Sequence, residues 1–198
     1  MNKIITISRQ FGSGGRTIGK EVAAKLGIPC YDAELIEKIA EESGFAKEYI
    51  AEHGEYKPHG NWFVNAFSAG YTAGYTNNQD YLWNIQRKII IDIAKKEPCV
   101  TVGRCADYIL RDCEDVECLK VFIHADMEKR AERIVNVYGE NDELPEKRLV
   151  DKDKRRSAYY KFYTDMSWGV AANYDISLNS GSLGLEKCEE IIADLYKL

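Results

Sequence analysis

The sequence predicts an α/β fold: a five-stranded parallel sheet flanked by helices. Two observations predict it. Short apolar runs alternate along the chain with longer segments whose apolar residues recur at helical spacing. Strands separated by helices in this way build parallel βαβ units with both sheet faces covered. The first run, Ile4-Ile5-Thr6-Ile7, passes through a glycine-rich turn straight into a helix. With 198 residues, 45% of them hydrophobic, the chain suffices for a single domain over 1–198, with one substantial core and a small inserted lobe.

Each element follows from its residues. Ile4–Ser8 is the first strand. The helix from about Gly15 to Leu26 carries an apolar face of Ile18, Val22, Ala23 and Leu26, and Gly27 stops it. Ile28–Tyr31 is a short second strand. Asp32 then caps a helix running to about Ser43, with Leu35, Ile36 and Ile39 inward. Over 44–80 the periodicity weakens, and aromatics, glycines and polar residues mix, as in an inserted lobe. A helix from about Gln79 to Lys96 leads to the third strand, Pro98–Val102, which ends at Gly103-Arg104. Leu119–His124 is the fourth strand and Met127–Tyr138 a charged helix. A polar link, Glu140–Pro145, precedes a basic helix from about Glu146 to Asp165. Tyr174–Leu178 is the fifth strand, and a helix over Glu186–Tyr196 follows it.

The charge and composition exclude several function classes. The 27 basic and 32 acidic residues leave a net charge of −5. No overall basic excess recruits nucleic acid, so any anion site is local. No apolar run is long enough to span a bilayer, and the N-terminus enters a strand without the layout of a signal peptide; the expected location is cytoplasmic. The six cysteines include no CxxC pair, and the three histidines are scattered. The thiols read as small fillers rather than zinc ligands.

The chemistry gathers at one edge. A parallel sheet binds ligands beyond the carboxyl ends of its strands, where Ser8-Arg9, Asp32, Gly103-Arg104 and Ala125-Asp126 all fall. Gly12-Ser13-Gly14-Gly15 can turn backbone N–H groups toward an anion with no Cβ in the way. The helix that starts there adds the positive end of its dipole. Arg104 has the planar fork suited to bidentate phosphate recognition, and Gly103 before it leaves room for a ligand. Lys152, Lys154, Arg155, Arg156 and Lys161 form a basic run interleaved with Tyr159, Tyr160, Phe162 and Tyr163. A charge run is usually a solvated face; behind a flexible link, it also suits a helix that closes over a polyphosphate.

In order along the chain, Ile7–Gly15, Gly103–Ala106 and Asp153–Tyr160 resemble three motifs of the cytidylate kinase-like family: Ile-Ser-Arg-Gln-x-Gly-Ser-Gly-Gly, Gly-Arg-Cys-Ala and Asp-Lys-x-Arg-x-x-Tyr-Tyr. Tyr174-Asp175 and Leu178-Asn179 fit its C-terminal pattern. The resemblance implies a P-loop nucleoside monophosphate kinase-like fold, with an acceptor-binding lobe inserted at 44–80 and a lid region at 139–165. It implies transfer of the γ-phosphoryl group of ATP, with Mg²⁺, to a CMP-like nucleoside monophosphate or a related small phosphate acceptor. By the same resemblance, Gly12, Ser13, Gly14, Gly15, Arg16, Thr17 and Arg130 bind the ATP phosphates. Asp32, Arg104 and Arg156 meet the acceptor; Arg16, Arg104 and Arg156 are the catalytic cations; and Thr17 is the metal ligand. The implied partners are nucleotides and small phosphate acceptors, with neither nucleic acid nor membrane among them.

Two positions depart from the pattern. The loop lysine, which in nucleotide kinases stabilises charge on the β- and γ-phosphates, is Gly15 here, followed by Arg16, and the loop's first glycine is Arg9. The acidic residue that follows the arginine in cytidylate kinases is Cys105. Three functions stay open on these residues, one of them the binding of a different ligand such as a non-nucleotide phosphorylated metabolite. The second is an ATP-dependent kinase in which Arg9 or Arg16 takes the lysine's place. The third is a nucleotide-binding module, catalytically weak or inactive.

Overall fold

The computed structural model describes residues 1–32, 76–139 and 142–198. The helix expected after Asp32, and the inserted lobe up to residue 75, lie outside them. Five strands, β1 (Asn2–Arg9), β2 (Cys30–Tyr31), β3 (Cys99–Val102), β4 (Val116–His124) and β5 (Ile176–Asn179), form one sheet in the order β2-β3-β1-β4-β5. Every pairing is parallel, with Ile5 of β1 opposite both Val100 of β3 and Leu119 of β4. The α-helices among the described residues are α1 (Gly15–Leu26), α2 (Thr76–Lys96), α3 (Ala106–Ile109), α4 (Met127–Tyr138), α5 (Pro145–Thr164), α6 (Ser180–Leu183) and α7 (Leu185–Lys197), with a 3-10 turn over Ala171–Asn173.

The two-residue period of a strand divides β1 between two cores. Ile5 and Ile7 enter a cluster with Ile18 and Val22 of α1 and Ile192 of α7. Ile4 enters the opposite one, with Ile85, Ile89 and Ile93 of α2 and Ile109 of α3. Arg9 continues the first set, toward α1; Ser8 continues the second, toward α3. The strand that builds the core thus also aims two polar residues at its own exit.

Helix periodicity does the same. Gln86 is buried on the α2 stripe that carries Ile85, Ile89 and Ile90. Arg130 is buried beside Ala131 and Ile134 on α4. On α5, Leu149, Asp153, Arg156 and Tyr160 follow one another at i+4, i+3 and i+4, which is a single helix face. Polar residues on these inward stripes reach the carbonyls of Arg9, Phe11 and Arg104 at the strand exits.

The structure differs from expectation at several places, among them β1, which begins at Asn2 rather than Ile4, and β2, which begins at Cys30 rather than Ile28. Residues of α3 and α6 were not expected to be helical, because a single turn carries no periodicity to read. β4 begins at Val116 rather than Leu119, and its first residues pair with Asn2–Ile4 of β1. β5 begins at Ile176 rather than Tyr174, whose ring instead packs 4.9 Å from that of Phe122. α2 starts at Thr76, a few residues before Gln79.

Candidate active site

β1 ends at Arg9 and α1 starts at Gly15, so Gln10–Gly14 make the connection. Gly12 and Gly14 sit at φ +79° and +80°, left-handed values that disfavour a side chain. Ser13 turns inward: its hydroxyl donates to the Gln10 carbonyl at 2.9 Å and the Ile123 carbonyl at 3.2 Å. Ser180 Oγ donates to the Ser13 carbonyl at 2.7 Å, and Gln10 Oε1 accepts from the Ala125 N–H at 3.2 Å. These bonds fix the loop from beneath. Its outer side presents the first-turn N–H groups of α1, which a helix leaves without intrahelical acceptors.

Four arginines converge there. Arg16 Nε donates to Asp32 Oδ2 at 2.8 Å, with Lys20 Nζ 3.7 Å from the same oxygen. Arg156, from α5, donates to the Arg9 carbonyl at 2.9 Å, and its guanidinium lies 5.5 Å from the centre of the Phe11 ring. Arg104 stands in a left-handed turn, Gly103-Arg104-Cys105, with φ of +81°, +58° and +54°. Two non-glycine residues in that region cost on the order of 1–3 kcal/mol each, and Gln86 Nε2 holds the turn by donating to the Arg104 carbonyl at 3.0 Å. Arg9 is the fourth. Burial, then the charges of Arg156, Arg104 and Arg16, hold its guanidinium well below the ordinary arginine range, while Asp32 acts the other way. The cluster has a marked excess of positive charge, which favours an anion.

Two residues expected at the phosphates have other partners. Arg130 Nη1 donates to Asp153 Oδ2 at 2.6 Å and to the Phe11 carbonyl at 3.2 Å. It braces the loop from behind, and its buried Nε has no hydrogen-bond partner. Thr17, expected to bind the metal, is exposed and accepts from Arg133 Nη2 at 3.0 Å. An oxygen already facing a guanidinium is a poor Mg²⁺ ligand. No group of three or more His, Cys, Asp or Glu is placed to hold a metal among the described residues. The donor set fits a cation carried by phosphate oxygens and water rather than by a protein cage.

Asp107, beside the candidate site, is a residue that sequence reasoning did not single out. It accepts from Tyr160 Oη at 2.7 Å and from Ser8 Oγ at 3.4 Å, tying α3 to α5 and β1. A carboxylate three residues beyond Arg104 was the available signal. Cys105, between them, is buried, and burial followed by the charge of Asp107 pushes its thiol well up. The position is therefore neutral.

A sequence model of the cytidylate kinase-like family matches residues 4–182, from β1 into α6. The chain is 31% identical over 194 residues to a cytidylate kinase of Archaeoglobus fulgidus, covering 95% of this chain and 91% of that one. It resembles the crystal structure of an uncharacterized protein from Eubacterium ventriosum at a TM-score of 0.74 and 26% identity, with 99% of each chain covered. A gluconokinase from Sinorhizobium meliloti shares the fold at a TM-score of 0.57 and 15% identity, over 98% of this chain and 94% of that one. No described helix is long and apolar enough to cross a membrane. The glycine loop leaving the central strand, the five-stranded parallel sheet and a match spanning nearly the whole chain agree on one assignment: the protein belongs to the cytidylate kinase-like family, on a P-loop kinase fold.

Proposed function

We propose that the protein is an ATP-dependent kinase that phosphorylates a nucleoside monophosphate of the CMP type. The observation that carries this reading is the convergence of Arg9, Arg16, Arg104 and Arg156 around the mouth of the glycine loop. Kinship with a cytidylate kinase supports the choice of acceptor. In the reaction, an oxygen of the acceptor phosphate bonds to the γ-phosphorus. The bond from that phosphorus to the β–γ bridging oxygen breaks, and ADP leaves with the electron pair. Such a transfer needs alignment and charge neutralisation rather than a covalent protein intermediate.

In this reading, the Gly12–Thr17 backbone receives the ATP phosphates, while Arg104, Arg156 and Asp32 face the acceptor. Arg16, held by Asp32, lines the boundary between the two substrates. Arg130 acts indirectly by bracing the loop. Mg²⁺ arrives on the nucleotide, and no step here is assigned to a protein-held metal.

The test is ADP formation from ATP across CMP, UMP, AMP and GMP, with CMP expected to give the highest kcat/KM. Arg104→Ala and Arg156→Ala should each lower kcat/KM by about 10²-fold or more, the usual cost of removing a preorganised charge. Wild-type rates in both variants would sink the site assignment. One observation favours a second reading, a module that binds nucleotide without turnover: Gly15 stands where the loop lysine belongs. Calorimetric ATP binding with no ADP formed on any acceptor decides for that reading.

A further inference from the structure

We infer that Arg9 is the cation that meets the β- and γ-phosphates, and that Gly15 is a glycine because Arg9 occupies the space above it. The identity of the ligand as a nucleoside triphosphate rests on the kinase reading above; the placement of the cation rests on geometry. Strand alternation sends the Arg9 side chain toward α1. There its stem fills the volume that a residue-15 side chain would need. A Cβ placed on Gly15 lies 2.6 Å from Arg9 Cβ and 2.9 Å from Arg9 Cγ, closer than real side chains approach. A Cβ on Gly103 falls onto Arg9 Nη1 and lies 3.0 Å from Arg9 Cζ. The arginine is thus threaded from the end of β1, across the start of α1, to the exit of β3.

The neighbouring cations have protein partners. Arg16 is bonded to Asp32, and Arg156 to the Arg9 carbonyl. No acceptor among the described residues is bonded to the Arg9 guanidinium, which carries five N–H donors. A half-buried cation without an acceptor, beside like charges, is unfavourable until an anion arrives. A polyphosphate supplies both the acceptors and the opposite charge, and a guanidinium fork suits it. Arg9 comes from a strand, so the sheet, rather than the helix that normally carries the lysine, sets its position.

The experiment uses the full-length protein as wild type, Arg9→Gln, Arg9→Gly and Arg9→Gly/Gly15→Lys. Binding of tripolyphosphate and of AMP is measured by calorimetry, beside turnover of ATP with CMP. Arg9→Gln should weaken tripolyphosphate by about tenfold or more, the effect of losing a charge-assisted contact, and leave AMP within about twofold. Its kcat should fall by about 10²–10³-fold. Adding Gly15→Lys to Arg9→Gly should recover at least about tenfold in kcat, because the lysine enters the vacated volume. Thermal melts give a readout free of activity: Gly15→Lys should lower Tm in the wild-type background and much less in the Arg9→Gly background. Wild-type tripolyphosphate affinity in Arg9→Gln overturns the inference, however active the enzyme. Lost tripolyphosphate affinity in a protein that phosphorylates no acceptor keeps Arg9 at the phosphates and overturns only the kinase reading.

Discussion

Asp107 is 3% exposed, and burial raises its carboxyl above the ordinary aspartate range, although hydrogen bonds led by the one from Tyr160 act against that rise. The folded chain therefore favours the protonated acid more than the unfolded chain does. The contribution of Asp107 to stability is largest below the unfolded value near 3.8. It declines as pH rises through the higher folded value and is level beyond it. Asp107→Asn removes that titration. Its stability relative to wild type should improve as pH goes from about 4 to 7, measured by urea unfolding across that range. A constant difference would show that the carboxyl is not shifted. At this scale the sequence reveals residue types better than partners. Arg104 and Arg156 stood out as candidates because each sits at a motif or a strand exit. The partners of Arg130, the Phe11 carbonyl and Asp153, were not readable, since its place beside Ile134 on an inward stripe shows only in the folded helix. Arg9 was ambiguous, because a strand-end arginine does not announce which distant glycine it will lie across.

α5 was expected as a mobile basic lid, and the structure shows it bonded to the loop. Asp153 accepts from the Phe11 N–H at 2.7 Å and from Arg130 at 2.6 Å. Further along, Tyr160 reaches Asp107, and the Tyr163 ring stacks on Trp83 at 4.3 Å. The charges that suggested a polyphosphate clamp divide by helix face: Lys152, Lys154 and Arg155 are exposed, while Arg156 alone turns inward. The Arg130–Asp153 pair is largely buried, with side-chain exposures of 7% and 17%. Removing one partner leaves an enclosed charge. Asp153→Ala should cost about 3–5 kcal/mol in urea unfolding. The double substitution Arg130→Met/Asp153→Leu should cost clearly less than Asp153→Ala, because it removes both charges together. Equal losses would mean that the pair acts only through packing. The bounds of α1 and α4 were legible for a local reason: Gly27 and Gly139, at φ +67° and +77°, end them. The start of β5 was not legible, because pairing with β4 rather than local composition decides where that strand begins.

For the molecule as a whole, the alternation of apolar runs and amphipathic segments was enough to predict a covered parallel sheet. The order β2-β3-β1-β4-β5 is not written in any local pattern and is seen only in the structure. β1 supplies residues to both cores, so the two layers should lose structure together. The cysteines test this. Cys99 lies in the core on the α2–α3 side of the sheet, Cys105 at the start of α3, and Cys188 in the core on the α1–α7 side, all buried. Burial raises each thiol, that of Cys99 to about 12, so none is reactive while enclosed. Thiol labelling in increasing urea should give one opening free energy for all three, equal to that of global unfolding. Faster labelling of Cys105 alone would reveal independent opening of the Gly103–Cys105 turn.

The steric exclusion between Arg9 and a side chain at position 15 also constrains how such a loop can change over generations. A lysine introduced at 15 while arginine remains at 9 meets a carbon 2.6 Å away, so the doubly charged loop is disfavoured. A glycine at both positions fits, but lacks either cation. The two substitutions are thus epistatic, each harmful alone and tolerable together. Position 103 stands apart from them, because its own backbone, at φ +81°, favours glycine whatever residue 9 is. Lineages on one side of this divide should tend to stay there, with residues 9 and 15 inherited as a pair.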